Sequence, residues 1–238
     1  MVQPVLSAKV LALLAGRVRA FGPNGELSAI DKYPLSYPVV LTATGITGDQ
    51  QGDMRHHGGV EKAVHHYPYE HYAMWKSGLP RLDAGRFQTG GFGENISTTG
   101  LMEEDVCIGD IFRLGSALLQ VSQARQPCWK LNVRFGYSKM SRQVQESCRT
   151  GWYYRVLQAG EVPDGAPLLL LERPCAVWPL RRLLHYFYED RLNGAALEAI
   201  AGLDVLASSW RKVAEQRLIT GQVEDWSRRL DTPEALRQ

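Results

Sequence analysis

A chain of 238 residues, 45% hydrophobic and 22% charged, is long enough for one large domain, or for one domain with a smaller appendage, each burying its own core. Its net charge of +2 leaves no global basic field to argue for nucleic acid or an anionic membrane surface, so any anion site must be local. No apolar run approaches the roughly 18 residues of a spanning helix, and four scattered cysteines without C-x-x-C or zinc-finger spacing fit a reducing cytoplasm.

The opening MVQPVLSAKVLALLAGRVRA reads as a first strand, because its only early charge is Lys9 and a signal-peptide cleavage pattern is poor. Further runs rich in Val, Ile, Leu and aromatics come after it, among them YPVVLTATGI, KAVHHYP, DVCIGDIFRLG, ALLQVSQ, GWYYRVLQAG and PLLLLER, punctuated by Gly, Pro and Asn turns. The pattern predicts a fold that is mainly β with helices. Two helical inserts, YPYEHYAMWKSG and YSKMSRQVQESCRTG, interrupt it. Beyond Pro174 apolar residues recur at helical spacing in PLRRLLHYFYEDR, GAALEAIAGL and ASSWRKVAEQRLITG, which predicts three helices and a boundary between residues 1–173 and 174–238. From Ala176 to Gln238 nine basic residues balance nine acidic ones, a poor DNA footprint and a better match to packing or partner docking.

Three stretches hold chemistry. In RHHGGVEKAVHHYPYEHY, five of the six histidines cluster, yet there is no H-E-x-x-H helix, and the strand period sends His65 and His66 to opposite faces. His57, with Gly58 and Gly59 after it, is the better ligand-facing candidate because glycine permits close backbone approach; an ordinary glycine hairpin explains the same residues. In TGGFGENISTTGL, Gly90, Gly91 and Gly93 precede Glu94 and Asn95, and such a loop can offer backbone N–H groups to a phosphate. It matches neither a P-loop nor a dinucleotide fingerprint.

The third stretch is SQARQPCWKLN. Between Ser122 and Arg142 stand Arg125, Lys130, Arg134, Lys139 and Arg142 with no acidic residue. Cations near a thiol favour the thiolate, the form that ligates metals or attacks electrophiles. Pro127 restricts Gln126 to an extended conformation, and the alternation of SALLQVSQ ends just upstream, so Cys128 is expected on a loop at a strand end. Cys107, Cys148 and Cys175 read as small buried hydrophobes. A surface basic loop with an incidental cysteine is the bland alternative for Cys128.

Together HHGGVEKAVHHYP, FGENISTTGL, IGDIFRLG, VSQARQPCWKLN and SSWRKVAEQRLITGQVEDWSRRL resemble the YiiM-like proteins of the MOSC superfamily, named after the C-terminal domain of molybdenum cofactor sulfurase. The resemblance runs from GRVRAFGPNGELSAIDK to DWSRRL. It implies a MOSC-type β-barrel followed by a small three-helix C-terminal domain, and a molybdenum cofactor (molybdopterin) whose metal is bound by one cysteine, here Cys128. It also implies reduction of N-hydroxylated compounds, hydroxylaminopurines and related base analogues, to amines, with electrons from a separate flavin-containing reductase.

On that basis the cofactor-binding candidates are Lys32, His57, Gly58, Gly59, Gly93, Glu94, Asn95, Arg125, Cys128 and Lys130, and the catalytic ones Cys128, His57 and Glu94, the last two as proton donors. Neither nucleic acid nor membrane is expected as a partner, and a homodimer is left open. Glu61 and Lys62 stand where relatives often carry an acid and an arginine, and Trp129 where they carry a tyrosine. Two other readings stay open: a non-catalytic cofactor or sulfur carrier using Cys128, and a phosphate-binding β domain without metal.

Overall fold

The computed structural model describes residues 6–21, 26–52 and 58–233. Its strands are β1 (Ser7–Gly16), β2 (Arg19–Ala20), β3 (Leu27–Ser28), β4 (Lys32–Pro34), β5 (Val39–Thr42), β6 (Gly45–Ile46), β7 (Val64–Pro68), β8 (Ile96–Thr99), β9 (Ile111–Leu114), β10 (Ala117–Ala124), β11 (Trp152–Gln158), β12 (Gly160–Val162) and β13 (Leu168–Glu172). Its helices are α1 (Glu70–Gly78), α2 (Lys130–Phe135), α3 (Met140–Ser147), α4 (Leu180–Tyr188), α5 (Gly194–Ala201), α6 (Ser208–Thr220) and α7 (Ser227–Leu230).

Seven strands close into a barrel in the order β13, β9, β10, β11, β7, β8, β1, with Ser7 of β1 pairing back to Leu169 of β13, and β4 extends the sheet from the far end of β1. Closure leaves no open barrel edge. The pair β7 and β8 is parallel, so the chain between them must cross over, and α1 lies in that crossover.

Sequence alternation sets the inside of the barrel. In β10, Ala117, Leu119 and Val121 are fully buried while Leu118 and Gln120 are half-buried. The register against β11 then slips between Val121 and Gln123, and Ser122, Gln123 and Ala124 are all buried. Such a slip bends a strand and re-aims the residues beyond it. The cysteine loop is the segment so redirected.

The expected C-terminal helices dock on the barrel. Leu180, Leu183, Leu184 and Phe187 form an apolar stripe along one face of α4, and they join Phe112, Leu119 and Trp152 in a single core with Leu197, Ile200 and Trp210. Backbone N–H groups of Leu180 and Ala207 donate to the carbonyls of Val106 and Ser122 across the join. A second cluster, including Tyr67, Trp75, Phe92, Leu131 and Phe135, gathers α1, α2 and α3 beside the glycine loop.

Two helices go beyond the sequence expectation. The six residues of α2 show too little periodicity to announce themselves; Gly136, left-handed at φ 63°, ends the helix by donating to Asn132 and Val133 carbonyls. The four residues of α7 are held by tertiary hydrogen bonds, with the Leu230 carbonyl accepting from Asn132 and Ser141. No helix among the described residues is long and apolar enough to cross a membrane.

Candidate functional site

Cys128 lies on the short loop between β10 and α2, as the strand end and Pro127 predict. Its side chain is largely buried, 8% exposed, and faces a cleft that Lys32, His65, Gly93, Arg125, Lys130 and Tyr153 also line. The loop is tied to the barrel where the Arg125 N–H donates to Gly151 carbonyl at 3.0 Å. Gly151 must be glycine: its φ is +67°, and a Cβ there would fall 2.2 Å from the His66 carbonyl oxygen.

The cations of the cleft arrive by different routes. Arg125 is 6% exposed and its Nη1 has no hydrogen-bond partner. An unsatisfied buried donor costs about 1–3 kcal/mol, more when charged, so this guanidinium calls for an acceptor. Lys130 reaches back to donate to the Leu27 carbonyl at 3.1 Å. Lys32 is buried against Asp49, with Nζ 2.5 and 2.6 Å from its carboxylate oxygens. Burial pulls the Lys32 ammonium below its ordinary value, and Asp49 opposes that shift. Asp49 is fixed in turn by the Gly16 N–H and the Asn95 side-chain amide.

The adjacent histidines divide as the strand period requires. His65 faces the cleft, packs at a tilt against Tyr153 with centroids 4.9 Å apart, and leaves Nε2 unpartnered. Burial, reinforced by Arg125, drives its pKa well below the usual value, so the ring is neutral. His66 points into the barrel, where its ring nitrogens meet Tyr154 hydroxyl at 3.0 Å and Thr98 hydroxyl at 2.8 Å; burial lowers it to about 3. The Tyr153 phenol is raised by burial, while Arg125 beside it opposes the rise.

Lys32, Gly93, Arg125, Cys128 and Lys130 are thus brought to one cleft. Other expected residues take supporting places. Glu94 is fully buried and is not among the lining side chains: its carboxylate accepts from Tyr72 hydroxyl and from the Gly90 and Phe92 N–H groups, and burial raises its pKa. The glycine loop therefore does not offer those N–H groups to a ligand, as its composition suggests; the inward-turned carboxylate takes them, and the Gly93 N–H goes to the Gly90 carbonyl. Asn95 accepts the His65 N–H and donates to the Leu14 carbonyl. Gly59 begins a short helical turn over Val60–Lys62, and neither it nor Gly58 lines the cleft. Arg134 pairs with Asp31, and Arg142 with Asp231. His57 lies outside the described residues.

Sequence reasoning missed His65, Tyr153, Gln50 and Gln51 as cleft residues. Only His65 left a signal, the opposite-face pair HH, and periodicity does not say which face opens onto a site.

The donor set suits a group that carries its own metal ligands. Among the described residues no cluster of three His, Cys, Asp or Glu side chains could hold a metal ion. A metal at the Cys128 thiolate would take the rest of its shell from the molecule bearing it, and a dithiolene is a soft donor of that kind. The unpartnered Arg125 Nη1, with Lys130 and Lys32 nearby, suits that molecule's anionic end.

Comparison with known proteins identifies the family. The MOSC domain profile matches residues 53–168, and the profile described as the YiiM-like, 3-alpha helix domain matches residues 178–221. Protein YiiM of Escherichia coli is 40% identical over 218 residues, 90% of this chain and 95% of that protein. The crystal structure of YiiM from Escherichia coli superposes with a TM-score of 0.81 at 32% identity, covering 95% of this chain and all of that one. A protein named reductase from Gibberella moniliformis is 41% identical over 171 residues, 71% of this chain but 30% of its own length. The chain belongs to the YiiM-like proteins of the MOSC superfamily.

Proposed function

We propose that the cleft binds molybdenum cofactor through Cys128 and that the protein is a cytoplasmic reductase of N-hydroxylated compounds, hydroxylaminopurines among them. The observation that carries this reading is the buried Arg125, whose Nη1 is left without a hydrogen-bond partner in the same cleft as a cysteine. The reductase name of the fungal relative agrees with it.

When bound, the group supplies two-electron reduction, replacing N–OH by N–H with release of water, and a separate flavin-containing reductase returns the electrons. The protein's residues perform the rest. Cys128 provides the thiolate ligand, Arg125 and Lys130 neutralise anionic charge, and Lys32, fixed by Asp49, adds a further cation at the cleft wall. Tyr153 holds a phenolic proton beside Cys128 and Arg125, because burial keeps it protonated at neutral pH. Glu94 and Asn95 hold the loop and strand that shape the cleft. In this reading residues 1–173 bind the cofactor and 174–238 form the appended helical domain.

The test is turnover. Protein made in a cofactor-competent host should reduce an N-hydroxylated purine with reduced viologen or an added flavoprotein and should not oxidise NADPH alone, since the sequence has no dinucleotide fingerprint. Molybdenum-loaded protein inactive with every such donor would favour the carrier reading. Direct NADPH oxidation with substrate would overturn the electron route.

A further inference from the structure

The Cys128 loop is held by a segment that neither family profile covers: residues 222–233 return from the helical domain to the barrel. The return starts at the buried Arg217 of α6, whose Nε and Nη2 donate to Glu224 at 2.9 and 2.8 Å. Glu224 accepts from Trp226, whose ring meets Tyr188 edge-on at 5.8 Å and carries Arg191 at 5.3 Å. Then α7 lies across the cysteine loop. Leu230 carbonyl accepts from Asn132 at 2.9 Å and from Ser141 hydroxyl at 2.7 Å, and Asp231 pairs with Arg142.

Arg229 makes the decisive contacts. Its Nη1 donates to the Pro127 carbonyl at 2.5 Å, and its own carbonyl accepts the Trp129 N–H at 2.8 Å. One residue therefore grips the backbone on both sides of Cys128. Its Nη2 donates to Gln145 of α3 at 2.6 Å, which fixes the guanidinium itself. Pro127 has no N–H to offer the loop, so its carbonyl is the handle available on that side.

We infer that Arg229 is a positioning residue, clamping the loop from both sides so that the Cys128 thiol keeps its place in the cleft. The inference deepens the proposed cofactor-binding role and rests on it for what the thiol does. The clamp also gives the helical domain a part in the site: it delivers the strap.

The test uses the full-length, cofactor-free protein and therefore does not depend on activity. Alkylation of Cys128 by iodoacetamide, followed on its own peptide by mass spectrometry across roughly pH 6 to 10, separates an apparent pKa from a limiting rate. Losing the side-chain half of the clamp should raise the limiting rate in R229A more than about threefold, since the part-buried hydrogen bonds that order the loop are gone. R229K should fall between, because lysine can meet the Pro127 carbonyl but not Gln145 as well. A limiting rate in R229A below that threshold, with or without a change in apparent pKa, overturns the clamp and reduces Arg229 to a charge.

Should R229A fail to fold, hydrogen exchange on the wild type decides. The Trp129 amide should exchange as slowly as the Leu230 and Asp231 amides, which open with the strap. Exchange at Trp129 faster by roughly tenfold would overturn the clamp. Wild-type protein without molybdenum from a competent host would end the functional reading and leave the clamp standing.

Discussion

Cys128 and Cys148 are both buried thiols with arginines nearby, yet their surroundings are opposite. Cys128 opens onto a cleft with Arg125, Lys130 and Lys32 in its walls. Cys148 caps α3 in a left-handed conformation at φ 56°, with its sulfur 3.8 Å from Glu189 and with Glu103 adding further negative charge. Burial pushes the Cys148 thiol up to about 12; Arg181 opposes the rise, and the two carboxylates add to it. Burial, with Asp110 adding to it, pushes Cys107 up to about 11. What sets Cys128 apart from these two thiols is thus its access to a cleft whose walls carry Arg125, Lys130 and Lys32.

Replacing the cysteines breaks the comparison most directly. Cys128→Ser should lower reduction of N-hydroxylated substrates by on the order of 10³-fold or more, with melting temperature little changed, because a loop thiol contributes little to the core. Steady-state kinetics and thermal unfolding measure the two effects. Next comes thiol reactivity: at about pH 8 a thiol with its pKa near 12 is ionised to roughly one part in 10⁴, so iodoacetamide should spare Cys148 in the folded protein. Its labelling should rise about tenfold per pH unit until the pKa is passed, because a raised pKa leaves less thiolate at every lower pH. Labelling of Cys148 as fast as Cys128 at that pH would erase the distinction.

Arg125→Ala sharpens the contrast from the cleft side. Removing the guanidinium, and with it the unpartnered Nη1, should weaken cofactor retention by about 10–100-fold, read as molybdenum remaining after dialysis, while the barrel stays folded. The smallest effect should be Cys148→Ala, which keeps activity and loses roughly 1–3 kcal/mol of stability in denaturant unfolding.

The barrel was legible because its strands alternate, as Ala117, Leu119 and Val121 do, and are punctuated by turn residues. The cysteine loop was legible for a local reason too: Pro127 and the end of β10 are written within a few residues of Cys128. Lys32 came from resemblance alone, because only the tertiary fold brings it to the cleft that Arg125 and Cys128 line. The FGEN loop misled: glycines show that a backbone can approach a ligand, but only the fold shows Glu94 turned inward to take the N–H groups. The strap's sequence, DWSRRL within it, carried the resemblance, but its docking on the cysteine loop was not legible, for a similar reason. Four helical residues carry no periodic signal, and α7 owes its place to partners such as Asn132 and Ser141, roughly a hundred positions upstream.

The central claim is that Cys128 ligates molybdenum. X-ray absorption at the molybdenum edge, on the full chain made in a cofactor-competent host and on its Cys128→Ser counterpart, tests it without reference to substrate. The account predicts near-stoichiometric molybdenum in the wild type and one sulfur neighbour fewer in any metal the variant retains. An identical sulfur shell in both proteins, or a wild type without molybdenum, would contradict it.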